Sequence, residues 1–169
     1  MLIRALDEGD VEALWALRLR GLASDPEAFG STYDEALAAG DERYRERLRE
    51  TSDSAFYLGA WDGDELAGTV RFTRAEGAKD RHKADVSSLY VAPQWRGQGV
   101  GCALTAALIA RARRVPELEQ LHLSVVTTNA TAGALYRSLG FVVYGTTPHA
   151  LKEGERYWDE DLMVLFLVA

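Results

Sequence analysis

The sequence predicts one mixed α/β domain, and three observations carry that expectation. First, β-type runs crowd the middle of the chain. Ala55 to Trp61, Leu66 to Arg74 and Val86 to Val91 are rich in β-branched and aromatic residues, and Asp62-Gly63-Asp64 between the first two is a hairpin signal, so the three read as an antiparallel meander. Second, the period changes after Gly101. Leu104, Ala107, Leu108, Ala112 and Val115 fall on one helical face, so a helix over 102–115 crosses from the meander to the alternating run Leu121 to Val126. Third, 169 residues with 47% hydrophobic content suffice for one sizeable core and are too few for two full domains. No repeat, low-complexity tract or linker divides the chain, so residues 1–169 are expected to form a single domain.

Taken in order, Leu2 to Leu6 suits a first strand. Val11, Leu14, Trp15 and Leu22 share the face of a helix that starts near Asp7 to Asp10 and ends before Pro26, which cannot continue it. Arg18 lies on that face and reads as a side chain snorkelling from the core margin, with a cleft-facing guanidinium as the alternative. Ala28 to Glu35 combines turn formers with two aromatics and reads as a loop into the charged stretch Asp41 to Glu50, which offers few apolar contacts. Glu76 to Lys83 is a polar loop before the Val86 strand. Beyond the crossover, Asn129 to Leu139 reads as a helix stopped by Gly140, Phe141 to Tyr144 as a strand, and Leu162 to Val168 as the last strand, with His149 in the loop before it.

Composition narrows the functional classes. With 19 basic against 26 acidic residues the net charge is −7, which argues against a nucleic-acid or anionic-membrane surface and favours cationic partners. One cysteine cannot form an intrachain disulfide, and Met1 to Asp10 carries acidic residues where a signal peptide would be apolar, so a cytoplasmic protein is expected. The longest apolar run, Leu162 to Ala169, is far shorter than the ~20 residues of a membrane helix. That run suits either a buried strand or a shared interface, so a homodimer stays open. Three scattered histidines with one cysteine give no metal site.

The chemistry concentrates where the Val86 strand meets the helix. Pro93 ends the strand, and Gly97, Gly99 and Gly101 let backbone approach a ligand and turn several N–H groups toward it at a helix N-terminus, which suits a phosphate or pyrophosphate. Two nucleotide-binding alternatives fail. A P-loop needs Lys then Ser/Thr where Cys102 and Ala103 stand, and a dinucleotide fingerprint needs a small residue at Cys102 and an acidic residue where Thr127-Thr128 stand. Arg96-x-x-Gly99-x-Gly101 after a strand resembles the acyl-CoA pyrophosphate loop of the GNAT superfamily of N-acetyltransferases. Val126 to Phe141, with Asn129, Tyr136 and Gly140-Phe141, resembles a second landmark of that family, in the right order and spacing.

The resemblance covers Val86 to Tyr144 and implies a GNAT fold, a central mixed, mostly antiparallel sheet flanked by helices. It implies acetyl-CoA as co-substrate and an amine acceptor attacked directly, without a metal. It also implies cofactor contacts at Leu89, Tyr90 and Val91 along the pantetheine, at Arg96, Gly97, Gln98, Gly99, Val100 and Gly101 around the pyrophosphate, and at Asn129. Tyr136 matches the position of the family's catalytic tyrosine, whereas spacing alone would make it a core aromatic beside Leu135 and Leu139. Asn129 is independently a good helix N-cap. Cys102 reads as a small residue at a packed helix start, and Arg111, Arg113 and Arg114 as a solvated helix end. The base that must deprotonate the amine is left open among Asp34, Glu35 and Asp85. A non-catalytic CoA-binding sensor and a transferase of longer acyl groups are the alternatives.

Overall fold

A two-residue turn fixes the centre of the sheet. Strands β2 (Ala55–Asp62) and β3 (Glu65–Arg74) are closed by Gly63 and Asp64, with Asp62 opposite Glu65 and Gly63 at φ +58°, the left-handed conformation that tight hairpins use. The structure, a computed structural model, describes residues 1–167. β3 pairs with β4 (Lys83–Val91), completing the meander, and β1 (Leu2–Ala5) adds to the other edge of β2. Helix α4 (Val100–Ala112) then crosses over to β5 (Gln120–Val126), which pairs parallel with β4. Helix α5 (Ala130–Ser138) leads to β6 (Val142–Glu153) and β7 (Arg156–Phe166). One seven-stranded sheet results, in the order β1-β2-β3-β4-β5-β7-β6, antiparallel except at β4–β5.

Both faces of the sheet are covered, which is why β2 reads as an apolar run rather than an alternation. Phe56, Val70, Phe72, Leu121 and Met163 join Leu104 and Leu108 of α4 in one core layer, while Leu6, Tyr57 and Tyr90 join Leu14 and Leu17 of helix α1 (Val11–Ser24) in the other. Phe56 and Phe72 face each other across the ladder and stack at 4.7 Å. Arg111 lies 3.8 Å over the Phe56 ring and reaches Asp53 at 3.5 Å, so this arginine is packed, while Arg113 and Arg114 beyond it are exposed as read.

Two expectations are corrected. The stretch read as a loop contains helix α2 (Tyr33–Ala39), and the charged stretch forms helix α3 (Glu42–Arg49). The signal for α2 was present as Thr32-x-x-Glu35, a capping box in which Thr32 Oγ1 accepts from Glu35 N at 3.2 Å and Glu35 Oε2 accepts from Thr32 N at 2.9 Å. The Phe141 strand and the His149 loop are the two ends of β6, which runs to Glu153 and turns back at Gly154 (φ +59°). β6 is an edge strand, so its exposed residues carry no apolar alternation, and Pro148 is tolerated there within a register irregularity. Leu162 to Phe166 lies inside β7 between β5 and β6, as a strand of the sheet; Val168 of the expected strand lies outside the described residues.

Candidate active site

The sheet opens where the sequence places the strand before the glycine loop. β4 and β5 pair only at Lys83, Ala84 and Asp85, opposite Gln120, Leu121 and His122; further along, β5 keeps its ladder with β7 and β4 keeps its ladder with β3. β4 therefore presents a free backbone edge to the gap. Just there its register against β3 shifts, with Ser88 and Leu89 together opposite Val70, and Ser88 has φ +55°. A β-bulge with a non-glycine residue in the left-handed region is held by its surroundings at a cost of ~1–3 kcal/mol, and such bulges re-aim backbone groups next to active sites.

Backbone direction decides which of Leu89, Tyr90 and Val91 face the gap. Ala92 N donates to Ala67 O at 2.9 Å, which makes Ala92 and, two residues back, Tyr90 members of hydrogen-bonded pairs with β3. The amide and carbonyl of Val91 therefore point away from β3, into the gap. The Tyr90 ring packs beneath α1, where Gly21 makes room and Ser24 Oγ lies 3.1 Å from the Tyr90 hydroxyl. Tyr90 is thus corrected from a cofactor contact to a core anchor of α1, and the Val91 N–H is the donor left for a pantetheine.

The loop itself has the expected geometry with one change. Gly97 (φ +73°) and Gly99 (φ +79°) are left-handed, and a Cβ at either would meet nothing within 4 Å, so both border open space. Gly99 caps α4 without a side-chain bond, and the first bond closed at this end is Ala103 N to Gly99 O, so the amides of Val100, Gly101 and Cys102 point outward unpaired. Gly101 serves packing, since a Cβ there would come 3.0 Å from Leu135 Cδ1, and Cys102 is exposed. Gln98 folds back onto Gln94 O at 3.0 Å. The change concerns Arg96. Its Nη2 and Nη1 donate to Asp25 Oδ2 and Oδ1 at 2.6 and 3.2 Å and its Nε to Val91 O at 2.9 Å, so it braces the loop against the end of α1 and does not stand free for phosphate. The same bond holds the Asp25 carboxyl below the usual carboxylate range.

Opposite the bulge, a cleft of about 320 Å³ brings together Ser88, Asn129, Tyr136, Glu160 and Arg18. Asn129 Oδ1 accepts from Ala132 N at 3.1 Å as the cap of α5, so the cap reading holds, and its Nδ2 donors have no partner among the described residues. Tyr136 is 7% exposed, packs edge-on against Phe141 at 5.7 Å, and burial pushes its phenol up to about 12. The three carboxylates considered as bases are elsewhere. Glu35 is spent on the α2 cap, Asp34 lines a neighbouring cavity beside Trp158, and Asp85 lines a third with His122 and Tyr144. The cleft's own carboxylate is Glu160 of β7, opposite Val126 of β5; sequence reasoning missed it because the last strand was started at Leu162, six residues after the start of β7 at Arg156. Arg18, read as a snorkelling side chain, turns into the cleft.

Residues 22–141, more than half of the chain, match the profile of the Acetyltransferase (GNAT) family. The chain belongs to the GNAT acetyltransferase family. The mycothiol acetyltransferase of Nocardiopsis dassonvillei is 34% identical over 85% of this chain and 43% of its own length, so the chain spans less than half of that relative. The L-amino acid N-acetyltransferase AaaT of Escherichia coli is 26% identical over 92% of this chain and 91% of its own. A GNAT-family acetyltransferase of Streptococcus pneumoniae superposes with a TM-score of 0.79 at 26% identity, covering 98% of both chains. The Salmonella typhimurium protein yncA, solved with its cofactor acetyl-CoA, gives 0.80 at 24% identity, covering 100% of this chain and 95% of its own. The GNAT landmarks at Arg96 to Gly101 and Asn129 to Phe141 both fall inside the matched region. Among the described residues of this GNAT chain no helix is long and apolar enough to cross a membrane.

Proposed function

We propose that this GNAT chain transfers the acetyl group of acetyl-CoA to a primary amine of a small molecule or peptide by direct attack. The observation that carries the reading is the cleft itself: an unpaired β4 edge with a bulge, Tyr136 and Glu160 border one gap in the sheet, and the glycine loop after β4 leads into the open first turn of α4. Acetyl-CoA supplies an acyl group activated as a thioester. The first-turn amides of α4 and the backbone of Gly97 to Gly99 receive its pyrophosphate, and the Val91 N–H pairs with its pantetheine. Backbone amides at the Ser88–Leu89 bulge stabilise charge developing on the carbonyl oxygen. Glu160 takes a proton from the acceptor's ammonium, directly or through water, so that the neutral amine attacks; the second N–H proton passes to solvent as the C–S bond breaks and the thiolate leaves. A homodimer remains part of the proposal, resting on the exposed Val142, Val143 and Tyr144 of the edge strand β6, and sedimentation velocity tests it.

Tyr136 donates a hydrogen bond to the departing sulfur. Burial pushes the phenol up to about 12 and keeps it neutral, which favours a hydrogen bond to the sulfur over complete proton transfer. Tyr136→Phe keeps the edge contact with Phe141 and removes that donor. A bond to a charged group contributes ~1.5–3 kcal/mol, so kcat is expected to fall by about 10- to 100-fold with acetyl-CoA affinity kept. A Tyr136→Phe variant turning over at the wild-type rate would return the residue to the core.

The test of the whole reading is binding and turnover. Acetyl-CoA at 100 times its Kd should stabilise the fold by ~2.7 kcal/mol, a rise in Tm of about 5–11 °C, with NADH and ATP far less effective. Release of thiol in an amine panel then separates a transferase from a CoA-binding module, and a series of acyl-CoA lengths separates acetyl from longer donors. Tight NAD(P)H binding with no response to CoA would overturn the proposal.

A further inference from the structure

The arginines that meet the two ends of α1 each have a carboxylate. Arg4 grips Asp10 at 2.6 and 2.7 Å, and Arg96 grips Asp25. Arg18 does not. It leaves the middle of α1 between the buried Leu14, Leu17 and Leu22, and its guanidinium lies 4.4 Å over the Phe29 ring with Nη2 donating to Ser31 Oγ at 2.7 Å. Among the described residues no carboxylate comes within 4.0 Å of it, and its Nε is sealed from solvent with no acceptor. A half-buried cation without a counter-charge, and a buried donor without an acceptor, are both unfavourable. The contact with Phe29 and the bond to Ser31 hold the guanidinium in place, and no partner among the described residues takes its Nη1 donors, which remain for an anion.

One carboxylate shares the cleft with Arg18 but lies beyond ion-pair distance of it. Arg18 and Glu160 line the same 320 Å³ space, one on the α1 wall and one on β7. A cavity of about 270 Å³ adjoins it, sharing Phe29 and Gly30, and is lined by Leu22, Leu151 and Trp158, whose buried Nε1 is a second donor without an acceptor. We infer that the acceptor carries a carboxylate bound by Arg18 while Glu160 faces its amine, in the simplest case a free amino acid whose side chain enters the adjoining cavity. The inference rests on the acetyltransferase reading above. Glu27, Asp34 and Glu153 on the cavity wall, against one Lys152, set apolar and basic side chains above acidic ones.

The experiment measures thiol release from acetyl-CoA with the free amino acids, and with leucine, leucinamide and isopentylamine as one matched set and arginine, argininamide and agmatine as another. Free acids are expected to exceed their amides and decarboxylated amines by about 10- to 100-fold in kcat/KM. Arg18→Met keeps the aliphatic stem and is expected to raise KM for the free acid about 10- to 100-fold, with kcat and acetyl-CoA affinity little changed and Tm preserved. Arg18→Lys keeps the charge without the fork and should fall between. Amides or plain amines turned over as well as the acids, or an unchanged KM in Arg18→Met, would overturn the inference and leave the acetyltransferase intact. Failure to bind acetyl-CoA would overturn both.

Discussion

Replacing Glu160 with Gln is expected to lower kcat at neutral pH by about 10²- to 10⁴-fold, the usual contribution of a positioned base. The substitution is nearly isosteric and sits in a strand held on both sides, opposite Val126 of β5 and Thr147 of β6, so the fold and acetyl-CoA affinity should survive. The need for a base follows from the acceptor. A lysine-type amine near ~10.4 is neutral in roughly one molecule in a few thousand at pH 7, and the α-amine of a peptide near ~7.7–8.0 in roughly one in ten, with a free amino acid between them because its carboxylate holds the ammonium proton more tightly. Solvent supplies more of the neutral amine as pH rises toward the amine's own pKa, so the deficit of Glu160→Gln should shrink with rising pH. A variant with wild-type rate and an unchanged pH profile would place the base elsewhere.

Gly99→Glu should abolish acetyl-CoA binding, with loss of more than about 10²-fold in affinity. Two effects must be separated. The left-handed backbone at position 99 (φ +79°) costs any L side chain ~1–2 kcal/mol, whichever residue is introduced. The side chain itself meets no protein atom within 4 Å, so what it disturbs is the space in front of the α4 amides, where a carboxylate repels phosphate. Gly99→Ala carries the backbone cost alone and is the control. Equal affinities in a folded Gly99→Glu and Gly99→Ala pair, measured by calorimetric titration, would reduce the loop to a helix-entry turn.

Much of this was legible because the signals were local. The Asp62-Gly63 turn, the apolar period of α4, the Gly97/Gly99 punctuation and the Asn129 cap each follow from a few adjacent residues, and the structure places them as read. What was missed depends on pairing between distant segments. Ser88 gives no sign in sequence of adopting φ +55°, since the bulge exists only against Val70 of β3. Glu160 becomes a cleft residue only because β7 inserts between β5 and β6, and Arg96 a brace only because α1 ends at Asp25. The part of β6 beyond Tyr144 was hidden for a different reason: an exposed stretch containing Pro148 has no apolar face to announce it. Helix α2 was the avoidable miss, since Thr32 and Glu35 stand at capping-box spacing.

The short parallel pairing of β4 and β5 sets stability against activity. Three residues of each strand meet, and the remaining length of β4 forgoes ladder bonds that a closed sheet would make, each worth ~1 kcal/mol net. A chain that straightened the Ser88 bulge and zipped these strands together would be a more robust protein with no slot for a thioester. Selection for thermal tolerance alone would push substitutions around Val86 to Val91 toward that closed, inert form, whereas the same selection acting on the Phe56–Phe72 layer would leave the slot untouched.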